Sequence, residues 1–252
     1  MESSERAAAI LSELSRTGRV QVAVLAEQFG ASEMTVRRDL EALDEQQCLR
    51  RVRGGAVALA GRGDALPFAT RRRQDWQTKQ RLAERVDALI ADQETVILDN
   101  GTTCLAVAER LVGRPLTVIP LSLHAATVLG ASTGVRLVLP GGDVEPVELK
   151  FRGSRAVQAV QALHVDVAVL SGCAAAPAHG ITSTSTDDAD LKLAALDAAA
   201  RSVLVVEPGK LTRTSAFTVA PASAVDTLVT TADADPAALR AYREAGVDVV
   251  LV

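Results

Sequence analysis

The feature that most limits what this chain can fold into is an alternation beyond residue 94, where short runs of Val, Ile and Leu are separated by longer stretches with helical spacing. The runs fall at 95–98, 116–119, 135–139, 165–170, 202–206, 216–219, 226–229 and 247–251. Apolar strands that alternate with helices of roughly ten or more residues pair side by side in parallel and need helices on both faces. A mostly parallel α/β domain is therefore expected over residues 75–252, opened by a helix at about 75–91. At 252 residues and 48% hydrophobic composition, the chain has material for a substantial core.

The first 58 residues follow a different period. Ala7, Ile10, Leu11 and Leu14 share one face of a helix at 4–16, and Gly18 stops it. Val22, Leu25 and Phe29 mark a second helix at 22–29, closed by Gly30. A third opens on Ser32, whose hydroxyl can cap the first turn, and runs through Val36, Leu40 and Leu43 to about residue 46. Residues 49–57 are rich in Arg and contain Gly54-Gly55, the mark of a turn between two short strands. Three helices and such a wing describe a winged helix-turn-helix.

On the third helix Met34, Arg38 and Glu41 lie opposite the apolar face, flanked by Thr35 and Arg37. A recognition helix enters the major groove N-terminus first, so Ser32, Glu33, Met34, Thr35, Arg37 and Arg38 are the candidate DNA contacts. Arg51 and Arg53 on the wing would meet phosphate or the minor groove. The spacing leaves open which arginine reads a base, and three helices alone would also suit an interaction module with a solvated Arg face. Net charge is −4, so DNA contact has to come from local clusters; residues 46–63 supply Arg50, Arg51, Arg53 and Arg62 with no acid among them. An aromatic content of 2% argues against base-stacking recognition of single strands. The domains expected are residues 1–58 for double-stranded DNA, a linker at 59–74 containing Pro67, and 75–252 for effector binding and oligomerisation.

In the second domain, residues 95–111 read as strand, then Asp99-Asn100-Gly101-Thr102-Thr103, then helix. Backbone amides and two hydroxyls at a helix N-terminus form a natural anion site, and an ordinary capped turn would read the same way. Ligands of parallel sheets bind beyond the strands' carboxyl ends, where Ser122, Gly141, Gly142, Gly172, Cys173 and Lys210 also fall. The chain has 23 Arg but four Lys, at 79, 150, 192 and 210. Lys192 and Lys210 are assigned to the pocket as compact point charges, while Lys79 and Lys150 suit a solvated surface equally well.

Cys48, Cys104 and Cys173 are scattered and have no His at ligand spacing, so small buried residues are expected, with neither metal nor cofactor. Residues 1–16 contain no apolar run of the kind found in secretory signals or membrane spans, and a cytoplasmic location is expected.

Two segments are specific enough to name a family. SEMTVRRDL at 32–40 and LRRVRGGAV at 49–57 resemble the DeoR family of bacterial repressors. The likeness continues more weakly through Pro67-Phe68, DNGTT at 99–103, LPGGD at 139–143 and SAF at 215–217, covering roughly residues 5–230. The resemblance implies an effector domain like that of sugar-phosphate isomerases, a phosphorylated sugar as effector, a homodimer or homotetramer, and lysines at 79, 192 and 210. It also marks departures. Pro120-Leu121-Ser122 stands where relatives read Thr-Asn-Ser, Ser171-Gly172-Cys173-Ala174 where they read Gly-Ala-Asp-Gly, and Gln47 where they place a glycine.

The function expected is a repressor of a carbohydrate-metabolism operon, released by a phosphorylated sugar or related phosphate and without catalytic residues. Two alternatives remain: an isomerase-like enzyme, for which Glu148, Asp187, Asp188, His124 and His179 are the available acids and bases, and a ligand-independent DNA-binding regulator.

Overall fold

A computed structural model describes residues 3–45, 49–57, 68–146 and 148–252. The chain divides into two compact units between Arg71 and Arg72. In the first, α1 (Ser3–Thr17) leads into β1 (Arg19–Gln21), α2 (Val22–Phe29), α3 (Glu33–Glu45), β2 (Arg50–Val52) and β3 (Gly55–Val57). Ile10, Leu11 and Leu14 of α1, Leu25 of α2, and Val36, Leu40 and Leu43 of α3 close over Leu49 and Ala56 in one core. The helix ends follow the glycines. Gly30, at φ 60°, donates to Glu27, while Ala31 donates to Ala26, a left-handed cap.

The wing is a three-stranded sheet in the order β1-β3-β2, and β1 was not expected from sequence because three residues carry too little periodicity to register. The two glycines of the wing do different work. Gly54 turns the hairpin at φ 79° with open space around it, whereas a Cβ on Gly55 would lie 2.0 Å from the carbonyl oxygen of Val20. Gly55 is what lets β1 approach β3 at all. The substitution at Gln47 and the end of the third helix beyond Glu45 lie outside the described residues, as does Cys48.

α4 (Phe68–Arg73) spans the division between the units. This differs from the linker expected at 59–74. Residues 58–67 lie outside the described residues, but 68–73 are helical, with Phe68 and Arg71 buried at i, i+3 and the guanidinium of Arg71 5.7 Å from the Phe68 ring centre. The expected helix at 75–91 is shorter, α5 (Trp76–Asp87), and Asp75 precedes it at φ 47°.

The second unit continues through β4 (Thr95–Leu98), α6 (Thr102–Leu111), β5 (Thr117–Pro120), α7 (Leu123–Gly130), β6 (Arg136–Leu137), β7 (Asp143–Val144), β8 (Phe151–Arg152) and α8 (Ser154–Gln161). It ends with β9 (Val165–Leu170), β10 (Ile181–Ser183), α9 (Thr186–Asp197), β11 (Ala199–Val205), β12 (Phe217–Ala220), β13 (Thr227–Thr230), α10 (Pro236–Glu244) and β14 (Asp248–Leu251). Seven of these strands form a parallel sheet in the order β14-β13-β11-β9-β4-β5-β6. Alternate strand residues serve two cores: Ile97, Ala168 and Leu204 face one, Val96, Leu98, Val167 and Val203 the other. Both faces are covered, as continuous apolar runs require.

One expectation is corrected here. The run at 216–219 does not join the main sheet; β12 pairs antiparallel with β10 in a separate two-stranded sheet, and β7 pairs with β8 in another. The chain starts at β4 in the middle, runs outward through β5 and β6, then returns to β9 on the other side of β4. The topological switch therefore lies between β4 and β9, and it is beyond the carboxyl ends of the strands at such a point that open α/β sheets bind their ligands.

Candidate functional site

In the first unit, the face of α3 opposite the core carries exposed Met34, Arg37, Arg38 and Glu41, with Met34 60% accessible. Ser32 caps the helix: its Oγ accepts from the amide of Thr35 at 3.1 Å and lies 2.8 Å from the Thr35 hydroxyl. Glu33 pairs with Arg37 at 2.9 Å, and Glu41 with Arg51 of the wing at 2.8 Å. Exposed pairs of this kind contribute roughly 0.2–1 kcal/mol and exchange readily for a phosphate. Arg38 and Arg53 have no such partner among the described residues, so they offer their guanidinium groups without first giving up a carboxylate.

Sequence reasoning missed what holds this helix in place. Asp39 is buried on α3 and takes a bidentate pair from Arg6 of α1, with one contact at 3.0 Å. The 33-residue separation left no pattern to read.

In the second unit, the switch point assembles most of the expected effector residues. Gly101, at φ 96°, is the N-cap of α6 and leaves the helix's first amides without a side-chain cap; a Cβ there would press on the Ser171 hydroxyl at 3.2 Å. Thr102 and Thr103 follow in the first turn, both buried. Asp99 is turned away from those amides: its carboxylate accepts from the Ser171 amide at 2.8 Å, from Asn100 Nδ2 at 3.0 Å and from the Lys192 ammonium. Gly172 lies buried just beyond β9.

Ser122 caps α7, its Oγ accepting from the Ala125 amide at 3.3 Å, and pairs through its main chain with Lys150. Gly141 and Gly142 are exposed before β7, with Gly142 set against the backbone of Arg152 and Ala156. Cys104 is buried as expected, but Cys173 is only partly so, because it stands past the end of β9.

A charge network underlies this end of the sheet, and half of it was not anticipated. Asp188 accepts from Asn100 Nδ2 at 2.8 Å, Lys150 at 3.3 Å and the Ser183 hydroxyl at 2.6 Å, with Lys192 at 3.5 Å. Lys192, Asp99 and Asp188 are essentially inaccessible. Burial alone would push the Asp188 carboxyl up, yet Lys192 and Lys150 hold it below the usual carboxylate range. Asp99 goes the other way: burial, with Asp188 nearby, raises it against the pull of Lys192. Burial would likewise lower Lys192, but the two carboxylates keep it charged above the ordinary lysine range.

The solvated-surface alternative for Lys79 and Lys150 does not hold. Lys150 joins this network, and Lys79 is fully buried, bonding the Gln74 carbonyl at 2.5 Å and pairing with Glu207 at 3.0 Å. Glu207 is also 4.0 Å from Lys210, in the short turn that follows β11. The i, i+4 spacing of Asp188 and Lys192 is a sequence signal that could have pointed to their pairing.

The acids and bases of the enzyme alternative do not converge in the same way. Asp188 is occupied by four donors, while Asp187 and His179 are exposed on separate segments. Among the described residues no cluster of His, Cys, Asp or Glu is arranged to hold a metal ion, and no helix is long and apolar enough to cross a membrane.

Both parts of the chain match known family models. The DeoR-like helix-turn-helix domain model matches residues 6–61, and the DeoR C-terminal sensor domain model matches 74–232. The HTH-type transcriptional repressor GlcR of Bacillus subtilis (strain 168) is 30% identical over 230 residues, covering 91% of this chain and 89% of that protein. The glycerol-3-phosphate regulon repressor of Escherichia coli (strain K12) is 27% identical over 237 residues, 94% of this chain and 93% of that one. Among solved structures, ribose 5-phosphate isomerase A from Methanocaldococcus jannaschii is similar at 16% identity and a TM-score of 0.40, over 54% of this chain and 55% of that one. Since the sensor-domain pattern alone accounts for more than half of its length, the chain belongs to the DeoR family of helix-turn-helix transcriptional regulators.

Proposed function

We propose that the protein represses a carbohydrate-metabolism operon in the cytoplasm and leaves its operator when a phosphorylated sugar or related phosphate binds the second unit. The observation that carries the proposal is the pairing of a winged helix, whose α3 presents an outward-facing Arg38, with an α/β unit whose switch point ends in the uncapped N-terminus of α6. The E. coli relative is named for a regulon of glycerol 3-phosphate, a small phosphorylated polyol, which is the ligand chemistry such a terminus suits.

Ser32, Glu33, Met34, Thr35, Arg37 and Arg38 face the major groove, and Arg51 and Arg53 face phosphate or the minor groove. In the sensor unit, Gly101, Thr102 and Thr103 take the phosphate and Lys210 adds charge, while Ser122, Gly141, Gly142 and Gly172 shape the wall. Asp99 and Lys192 support the loop from beneath. The protein acts as a homodimer or homotetramer, and the effector favours an arrangement in which the α3 helices no longer match the spacing of the half-sites. Saturation of Asp188 by its donors supports binding over proton abstraction as the task of the α/β unit.

Fluorescence anisotropy with duplex DNA from the region upstream of the protein's own gene tests the first half. Arg38→Ala should weaken binding by about 1–3 kcal/mol and relax base preference, whereas Arg53→Ala should mainly lower the salt dependence. Unchanged affinity in both would overturn the assigned face. Thermal melting with millimolar pentose, hexose and triose phosphates tests the second half, because a ligand that binds only the folded state raises the transition. A flat response across the panel would sink the effector reading.

A further inference from the structure

The effector site is proposed at the carboxyl end of the sheet, but a sensor also has to pass its state on, and the four-residue chain of contacts around Glu207 runs in a direction that permits it. Lys210 sits in the turn after β11 with its ammonium 4.0 Å from Glu207. The same carboxylate holds Lys79 at 3.0 Å, and Lys79 in turn bonds the Gln74 carbonyl. Gln74 and Asp75 form the joint between α4 and α5, where Asp75 takes φ 47°, a left-handed conformation that a non-glycine residue adopts at a cost. The Lys79 side chain is 2% accessible, so its charge is compensated within the protein, and Glu207 and the Gln74 carbonyl share the same ammonium.

We propose that Lys79 and Glu207 are positioning residues that relay occupancy of the anion site from Lys210 to the Gln74–Asp75 joint, where the chain leaves the sensor unit toward α4. An anion that draws the Lys210 ammonium away from Glu207 leaves that carboxylate to Lys79 alone. Lys79 then shifts its bonding from the Gln74 carbonyl toward Glu207, and the strained joint relaxes. The relay rests on the proposed anion site only for what triggers it; the contacts themselves do not depend on a ligand.

The molecule carries its own reporter. Its single tryptophan, Trp76, is the first residue of α5 and is partly buried, two residues past Gln74. One arm of the test needs no ligand. Lys210→Gln should shift the Trp76 emission maximum, Lys210→Arg should restore it, and Lys210→Gln combined with Glu207→Gln should shift it no further than the larger single change. Additive shifts, or an unchanged emission in a Lys210→Gln protein with native circular dichroism, would overturn the relay.

The second arm uses inorganic phosphate at millimolar concentration. It should change Trp76 emission saturably in the wild type, and that change should be lost in Glu207→Gln while phosphate still raises the melting temperature; an emission response that survives Glu207→Gln counts against the relay. If phosphate raises the melting temperature of neither protein, the anion-site reading fails and the ligand-free arm decides the relay by itself. Should Glu207→Gln fail to fold, emission from the Lys210→Gln and Lys210→Arg pair still decides whether the relay stands.

Discussion

Replacing Lys192 by Met is expected to destabilise the α/β unit by about 3–5 kcal/mol, the typical loss when one partner of a buried ion pair is removed and the other is left uncompensated. Met preserves most of the volume, so the loss reports charge and not a cavity. Asp99 would suffer most, because Lys192 is the cation that opposes its burial. Asp188 keeps Lys150, Asn100 and Ser183.

The pH dependence distinguishes this account from simple loss of packing. A carboxyl whose folded-state value lies above its unfolded value binds more protons in the folded state. Stability therefore falls as pH rises through the window between the two. Without Lys192 the Asp99 carboxyl rises further, so the deficit of the variant, measured by denaturant unfolding, should be smaller at pH 5 than at pH 8. A deficit independent of pH would show that Asp99 does not carry the effect.

The second large effect belongs to the wing. Gly55→Ala places a Cβ 2.0 Å from the Val20 carbonyl oxygen, so β1 and β3 cannot keep their present separation. Since β3 is the middle strand of β1-β3-β2, a shift there disturbs both pairings, and operator affinity should drop by more than tenfold, or about 1.4 kcal/mol, within the roughly 1–3 kcal/mol typical of overpacking. Gly54→Ala is the control: its surroundings are open and only the φ of 79° is strained, which costs about 1 kcal/mol. Anisotropy titrations of the two variants against the same duplex decide the matter. Equal losses would mean that the turn conformation, and not the close approach to β1, fixes the wing.

The legible parts of this protein are those in which chemistry repeats locally. Val36, Leu40 and Leu43 announce the buried face of α3 through their spacing, and the opposite face follows from it. The turn from Asp99 to Thr103 could be placed between a strand and a helix for the same reason. Pairings across long sequence gaps were not legible: Arg6 with Asp39, Asp99 with Lys192 over 93 residues, Glu207 with Lys79. Each is one acid and one base among many, and only the fold chooses the partners. Four of the shortest strands, β1, β7, β8 and β10, were too short to show alternation, and with β10 unread the antiparallel partner of β12 was missed. Lys79 and Lys150 carried a compositional signal, their rarity beside 23 arginines, but rarity does not distinguish an interior amine from a solvated one.

That division between the two basic residues has a chemical consequence. All four lysine side chains are held in ion pairs at 14% accessibility or less, while the outward-facing cations of α3 and the wing are arginines. Acylating reagents and acyl-group donors attack neutral, accessible amines and leave guanidinium groups alone. The folded protein thus keeps its positive charge where DNA would meet it, out of reach of the acetyl chemistry that neutralises lysine-based nucleic-acid surfaces, and modification of its lysine amines becomes a measure of how often the sensor unit opens.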